Sequence, residues 1–519
     1  MTTTSLQMSR QLLVGELIRR AAHKTPNQEA FIYGDERLTY LELEKKTLHL
    51  AGWLQQQGLE IGDKVGIIFK NNLAFVEVMF ATASAGCVSV PINFRLAPEE
   101  FVYIINHSDT KVLFIEEEYQ DMILSIRQEL PNVEKIVVVG KVNSMELIPY
   151  ETIYHSEIPY QSIDGQVEEN DACMICYTSG TTGKPKGAVL THKNLLLSAL
   201  NSVVDSKIER GSKQLVITPL FHIAGVGNVL ISCTVGGLTV IHREFNPVGV
   251  LHTIHHEKIN GLFMVPAMWN LVLHVPNIED YDLTSVQRCS TGAAICPLEV
   301  KHKMMEHFPN AGIFDAFGQT EMSPTTTCLL PQDSLRKTNS VGKPVMNVEV
   351  RIVDENMNDV PVGEIGEIIY RGPTVMKGYY KNPAATEEAF RGGWFHSGDL
   401  VRQDDEAFIY VVDRSKDMII SGGENIYPAE IEAALHKHDA IFEAAVVGVP
   451  DPKWGESVKA YIVLKNGKSL TEQEVIQHCL THLASYKKPK YVEFLNELPR
   501  NPSGKILKRV LREKEVKMN

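Results

Sequence analysis

YTSGTTGKPKG, residues 177 to 187, gathers the hydroxyls of Thr178, Ser179, Thr181 and Thr182 with the ammonium groups of Lys184 and Lys186 in one loop. Hydroxyls can donate to phosphate oxygens, Gly180 and Gly183 let the backbone come close to them, and the lysines supply positive charge. Upstream, the apolar run from Ala172 to Tyr177 predicts a buried strand, and Ala188 to Leu190 resumes one downstream, which makes the loop a strand-to-strand turn. A Walker A loop is excluded: Pro185 follows Gly183-Lys184 where Ser or Thr is needed, and Thr178 stands at the first glycine position. Composition alone leaves two readings open, a polyphosphate cradle and a flexible structural turn.

Outward from this loop, apolar strands alternate with helical patterns. Lys64–Phe69, Cys87–Pro91 and Lys135–Val139 read as strands and Phe75–Ala85 as a helix, an alternation that predicts α/β layers. After Ser340 the alternating Val348–Val353 and the Gly-rich 363–372 predict antiparallel strands. Beyond Asp413 a smaller α+β unit begins, with Pro428 opening one helix and a Thr471/Glu474 capping box opening another along the stripe Val475, Cys479, Leu483. The charged Asp413–Asp417 marks the boundary, as an exposed hinge or as a solvated surface turn.

The 519 residues exceed one hydrophobic core and imply at least two domains. A hydrophobic fraction of 44% with 22% charged residues is that of a soluble globular protein. The net charge of -13 argues against nucleic acid as a partner and confines sites for anionic ligands to local basic islands. Of the eight cysteines only Cys173 and Cys176 have C-x-x-C spacing, inside the strand before the loop, so core packing is expected rather than zinc or redox chemistry. The polar amino terminus and the lack of a long apolar window predict no signal peptide and no membrane span, hence a cytoplasmic protein. Peripheral membrane contact and a homo-oligomer are left open.

Four further segments follow the 177–187 loop: FGQTE (317–321), HSGDL (396–400), DRSKDMIISGGENIYPAEIE (413–432) and RNPSGKI (500–506). In this order the five segments resemble the motifs of the acyl-adenylate-forming superfamily, which contains acyl-CoA synthetases, luciferases and the adenylation domains of peptide synthetases. The resemblance covers essentially the whole chain. It implies a large N-terminal domain of α/β layers (1–413) with a small β-barrel-like subdomain, a hinge at 414–417, and a smaller mobile α+β domain (418–519). It also implies ATP, Mg2+ and coenzyme A as cofactors of an acid–thiol ligase.

The residue roles implied by the resemblance are chemically coherent. A carboxylate attacking the α-phosphate of ATP meets like charge, which cations must offset. Glu321 matches the family's metal ligand, with Thr178 as a hydroxyl near the metal, and Lys505 matches the lysine that orients and stabilises the reacting groups. Ser179, Gly180, Thr181, Thr182 and Lys186 would hold phosphates, and Thr320 would donate to the α-phosphate. Gly292, Ala293, Asp315 and Phe317 match segments flanking adenine, where Phe317 replaces a more usual tyrosine, keeping the ring and losing the hydroxyl. Asp399 would accept the ribose hydroxyls with Arg414 assisting, Lys416 matches the pivot, and Gly422 and Gly423 match the segment lining the pantetheine tunnel.

Pro219–Gly227, PLFHIAGVG, resembles the substrate-side segment of acyl- and aryl-CoA synthetases, which implies His222 as a gate or wall of the carboxylate site, with a packed core histidine as the competing reading. No aspartate stands there to hold a substrate ammonium, which argues for an acid without an α-amino group. A medium- or long-chain fatty acid is the expected substrate. An aryl or other organic acid, or transfer to a carrier protein, is the alternative.

Overall fold

The structure, a computed structural model, describes residues 11–155, 157–178, 184–414, 417–421, 424–500 and 506–516. Two compact units emerge, Met1–Val350 with Tyr370–Phe395, and Arg351–Ile369 with His396–Asn519.

The first unit opens with α1 (Gly15–Lys24), β1 (Glu29–Tyr33), β2 (Glu36–Thr39) and α2 (Tyr40–Gln56), then β3 (Lys64–Ile68), α3 (Leu73–Ser84), β4 (Val88–Pro91) and α4 (Pro98–His107). It continues through β5 (Thr110–Glu116), β6 (Lys135–Val139), β7 (Ile148–Pro149), β8 (Ala172–Thr178), β9 (Lys186–Thr191) and α5 (His192–Asp205). Next come β10 (Lys213–Val216), α6 (Ile223–Thr234), β11 (Leu238–Ile241), β12 (Gly261–Phe263), β13 (Arg288–Gly292), β14 (Gly312–Gly318), β15 (Thr325–Leu329) and β16 (Ser340–Pro344).

Strands β17 (Glu349–Val353) and β18 (Ile365–Arg371) straddle the division, and β19 (Gly378–Tyr379) returns to the first unit. One of its sheets has the order β19-β9-β8-β4-β3-β5-β6-β7, and the other includes β16-β15-β14-β13-β12-β10-β11-β1-β2. The β3, β4, β5 and β6 pairings are parallel, and these strands are apolar and almost wholly buried, as parallel strands covered on both faces must be.

Helix α3 explains how two sheets share one core. All twelve of its residues are buried, and it touches β1 of one sheet and β3 and β4 of the other. A helix apolar all round has no solvent face to keep. Its one charge, Glu77, is 2% exposed and is met by Lys46 Nζ at 2.9 Å and by the hydroxyls of Tyr150 and Tyr154. A carboxylate so buried needs this full set of partners.

The second unit carries β20 (Phe395–Gln403), β21 (Ile409–Arg414), β22 (Ile419–Ser421), β23 (Glu424–Ile426), α7 (Pro428–Leu435), β24 (Ile441–Asp451), β25 (Gly455–Leu464), α8 (Glu472–His482) and β26 (Tyr491–Phe494). Pro428 stands in the first turn of α7, and Thr471 and Glu474 form the expected capping box of α8, whose Val475 and Cys479 are buried. The two aspartates that bound the 413–417 stretch depart from the solvated reading. Asp413 is 7% exposed and accepts the amides of Arg414 and Ala429, and burial raises its pKa. Asp417 pairs with Arg512 at 2.7 Å. The two carboxylates are bound internally because two backbone donors and an arginine replace water.

Candidate active site

Strands β8 and β9 pair antiparallel, with Thr178 opposite Lys186 as the last pair, so the apolar runs on either side of the loop are the strands the sequence predicts. Ser179, Gly180, Thr181 and Thr182 lie outside the described residues, as do Lys416, Gly422, Gly423 and Lys505. The base of the hairpin is braced by α4: the Tyr103 hydroxyl donates to Pro185 O at 3.1 Å, and His107 Nδ1 meets the Tyr177 hydroxyl at 2.7 Å. Lys184 lies over the Tyr103 ring and Lys186 over the Tyr379 ring, each with Nζ 5.0 Å from the centroid.

Tyr379 joins this hairpin to the expected metal carboxylate. It sits on β19, paired with Ala188 of β9, and its hydroxyl donates to Glu321 Oε1 at 2.9 Å. Glu321 is 9% exposed on a single 3-10 turn, Thr320–Met322, and its main-chain oxygen accepts the Met376 amide at 2.7 Å. The same carboxylate adds to burial in holding the Cys176 thiol up to about 12. Cys173 and Cys176 are both buried thiols in β8, as the core reading expects.

Gly318 makes this turn possible, since a Cβ there would stand 1.9 Å from Pro324 O. One buried carboxylate beside a hydroxyl-bearing hairpin fits a hard, oxygen-seeking ion whose remaining ligands come from phosphate and water. Among the described residues there is no cluster of three or more His, Cys, Asp or Glu side chains suited to a metal.

The adenine-flanking candidates meet at the carboxyl ends of adjacent parallel strands, where open α/β sheets place ligands. Gly292 of β13 pairs with Ala316 of β14, between Asp315 and Phe317, and a Cβ on Gly292 would lie 2.4 Å from Ala316 O. Ala293 turns the chain outward with φ 64° and is exposed, while Phe317 is half-buried. Asp315 is already engaged: Lys301, only 2% exposed, reaches its Oδ2 at 2.7 Å and Ser334 O at 3.2 Å. Burial raises the Asp315 pKa against the pull of that ammonium.

His222 is exposed, which overturns the packed-core reading. It is the N-cap of α6, with Nδ1 accepting the Ala224 amide at 3.4 Å. Val226 and Trp269 are instead fully buried core.

In the second unit, Asp399 and Arg414 face each other across the β20/β21 hairpin, joined by Arg414 Nε to Asp399 Oδ1 at 2.6 Å. Ser397 Oγ accepts the Asp399 amide at 2.9 Å, and Gly398, at φ 71°, donates its own amide to Glu367 Oε1 at 2.9 Å.

A cavity of about 830 Å³ in the first unit is lined by Lys64, Val88 and Ala172, at the amino ends of β3, β4 and β8, and on its other side by Tyr379 and Tyr380.

The model of the AMP-binding enzyme family matches residues 18–380, and that of the AMP-binding enzyme C-terminal domain matches residues 430–505. The chain belongs to the AMP-binding enzyme family. This AMP-binding enzyme is 37% identical to a feruloyl-CoA synthase of an Amycolatopsis species over 498 residues, 94% of this chain and 96% of that protein. It is 34% identical to a long-chain-fatty-acid–CoA ligase of Mycobacterium tuberculosis, over 96% of this chain and 98% of that one. The structure of o-succinylbenzoate CoA synthetase from Bacillus subtilis with ATP and magnesium superposes with a TM-score of 0.84 at 30% identity, covering 96% of this chain and 99% of that one. The AMP-binding enzyme is an acid–thiol ligase of the acyl-CoA synthetase kind, from a family that uses ATP, Mg2+ and CoA. No helix among its described residues is long and apolar enough to cross a membrane.

Sequence reasoning missed Tyr379 and Lys301. Tyr379 lies in the run Lys377-Gly-Tyr-Tyr-Lys381, which carries no signal beyond aromatic content, and Lys301 reads as one more surface charge on a helix.

Proposed function

We propose that the enzyme activates a medium- or long-chain fatty acid in two half-reactions. A carboxylate oxygen attacks the α-phosphorus of ATP and pyrophosphate leaves; the thiolate of CoA then attacks the acyl carbonyl and AMP leaves. The observation that carries the first step is the junction of Lys186, Tyr379 and Glu321 at the mouth of the β8/β9 hairpin.

Ser179, Gly180, Thr181, Thr182 and Lys186 hold the phosphates, Thr320 donates to the α-phosphate, and Glu321 with Thr178 binds a magnesium ion. That ion, when bound, offsets the charge of the triphosphate. Gly292, Ala293, Asp315 and Phe317 flank adenine, and the Asp399–Arg414 pair holds the ribose. Lys505 stabilises the first transition state, and the domain 418–519 turns about 414–417, with Lys416 as pivot, to bring Gly422 and Gly423 to the thiol. His222, exposed at the head of α6, gates the carboxylate.

The fatty-acid reading is supported by a neutral Pro219–Gly227 segment and by similarity to the mycobacterial ligase. A second reading, an aromatic acid, is favoured by the T-shaped Phe94–Phe221 pair, centroids 5.4 Å apart, next to His222, and by similarity to feruloyl-CoA synthase. Pyrophosphate release over a panel of alkanoic and aryl acids, with and without CoA, separates them. A maximum at medium or long alkyl chains supports the fatty acid; a maximum at cinnamic or benzoic acids replaces it with the second reading.

A further inference from the structure

Asn71 follows β3 at its carboxyl end and is 3% exposed. Its carboxamide is spent on main chain from the other sheet. Nδ2 donates to the carbonyls of Ile217 at 3.3 Å, Thr218 at 3.1 Å and His242 at 3.1 Å, and Oδ1 accepts the Leu220 amide at 2.7 Å. Two N–H bonds are thus shared among three carbonyls, and the amide has little unused capacity. Ile217 and His242 directly follow β10 and β11, so one side chain fastens the carboxyl ends of strands from two sheets.

The neighbours of Asn71 fix its backbone. Asn72 caps α3 through the Phe75 amide at 2.8 Å and donates to Glu116 Oε1 at 2.9 Å, while the Lys70 amide donates to Glu116 Oε2 at 2.8 Å. Beyond Leu220 the chain turns through Phe221 to His222, whose amide donates to Pro219 O at 3.0 Å. On the far side a Cβ on Gly225 would stand 2.4 Å from that same oxygen. The turn is therefore held between Asn71 and the first turn of α6.

We propose that Asn71 is a positioning residue for the acid substrate: by fixing Leu220 it sets where Phe221 and His222 stand. This rests on the acyl-side reading of Pro219–Gly227. Alanine at 71 would strip partners from one amide and three carbonyls, loosening the turn without touching the 177–187 hairpin or Glu321.

Steady-state kinetics over an acid panel test the proposal. Asn71→Ala is expected to raise KM for the preferred acid about tenfold and reorder the panel, with KM for ATP changed less than about threefold. Asn260→Ala is the comparison, because Asn260 accepts the Lys213 amide at 2.8 Å and donates to Ser285 O at 3.3 Å at the other end of β10. It should leave the acid order unchanged. Acid and ATP KM rising together, or no greater effect than Asn260→Ala, overturns the proposal.

His222→Ala separates the two levels. If it changes the acid order and Asn71→Ala does not, Asn71 fails alone; if neither variant changes it, the acyl-side reading fails as well. Should Asn71→Ala give no soluble enzyme, Asn71→Ser keeps one hydroxyl for the same comparison. Hydrogen exchange at the Leu220 amide of the unmodified enzyme should be slow, and fast exchange there also overturns the proposal.

Discussion

The hydroxyl of Tyr379 donates to Glu321 Oε1 at 2.9 Å while the Tyr379 ring lies 5.0 Å below the ammonium of Lys186. One phenol thus ties the Lys186 ammonium to a buried carboxylate. Hydrogen bonds to charged groups are worth roughly 1.5–3 kcal/mol. Tyr379→Phe should therefore slow acyl-adenylate formation about tenfold and raise the Mg2+ needed for half-maximal rate. A pyrophosphate-release titration reads both, and an unchanged Mg2+ curve would detach Tyr379 from the carboxylate's role.

Glu321→Gln removes the charge and keeps the shape. Because the residue is 9% exposed and its backbone oxygen holds Met376, the fold should survive. Adenylation should fall by at least about a hundredfold, with partial relief at high Mg2+. Full activity at limiting Mg2+ would remove Glu321 from the ligand set.

Lys505→Ala should abolish adenylate formation yet leave thioester formation from purified acyl-adenylate, because the role proposed for the lysine belongs to one half-reaction only. Equal losses in single-turnover assays of both steps would give Lys505 a general role instead.

Two glycines of the acyl-side segment should respond in opposite ways to alanine. A Cβ on Gly227 meets only Pro324 Cδ at 3.6 Å, an ordinary contact, whereas on Gly225 it meets Pro219 O at 2.4 Å. Gly227→Ala should hold Tm within about 2 °C, and Gly225→Ala should cost about 2–3 kcal/mol or more. Similar melting curves for the two would contradict the close approach at Pro219.

His192 gives the fold an acid limit. It is 1% exposed, Nδ1 accepts the Val14 amide at 3.2 Å, and burial lowers its pKa from 6.5 to about 4. Below about pH 6.5 the unfolded chain takes up a proton that the folded chain refuses. The contribution is therefore whole above pH 6.5 and is lost as pH falls toward 4, by up to about 3 kcal/mol. Urea midpoints at pH 7 and pH 5 should differ less for His192→Gln than for the unmodified enzyme; an equal difference would assign the acid sensitivity elsewhere.

The strands flanking the 177–187 loop were legible from their apolar runs, whereas FGQTE and HSGDL were found through their resemblance to family motifs. At Gly318 and Gly292, backbone oxygens at 1.9 Å and 2.4 Å from their would-be Cβ atoms leave no alternative to glycine. Tyr379 was not legible, since a tyrosine near a strand end has the same pattern whether it packs or bonds a carboxylate. Its role appears only when β19 lies beside β9. Lys301 and Asn71 escaped for a related reason: buried polar groups are defined by distant partners, and sequence shows only neighbours. The exposure of His222 follows from where α6 begins, a boundary that PLFHIAGVG does not mark.

Helix α3, buried on every side between two sheets, has a consequence for how this protein can be cut. A fragment ending after β7 would keep α3 but lose β11, which pairs with β1, and β10 beside it, and a fragment starting at β8 would lack the helix altogether. Neither half can close its own interior. Split-reporter and fragment-complementation designs should therefore leave residues 1–350 and 370–395 together on one fragment, since both stretches belong to the first unit.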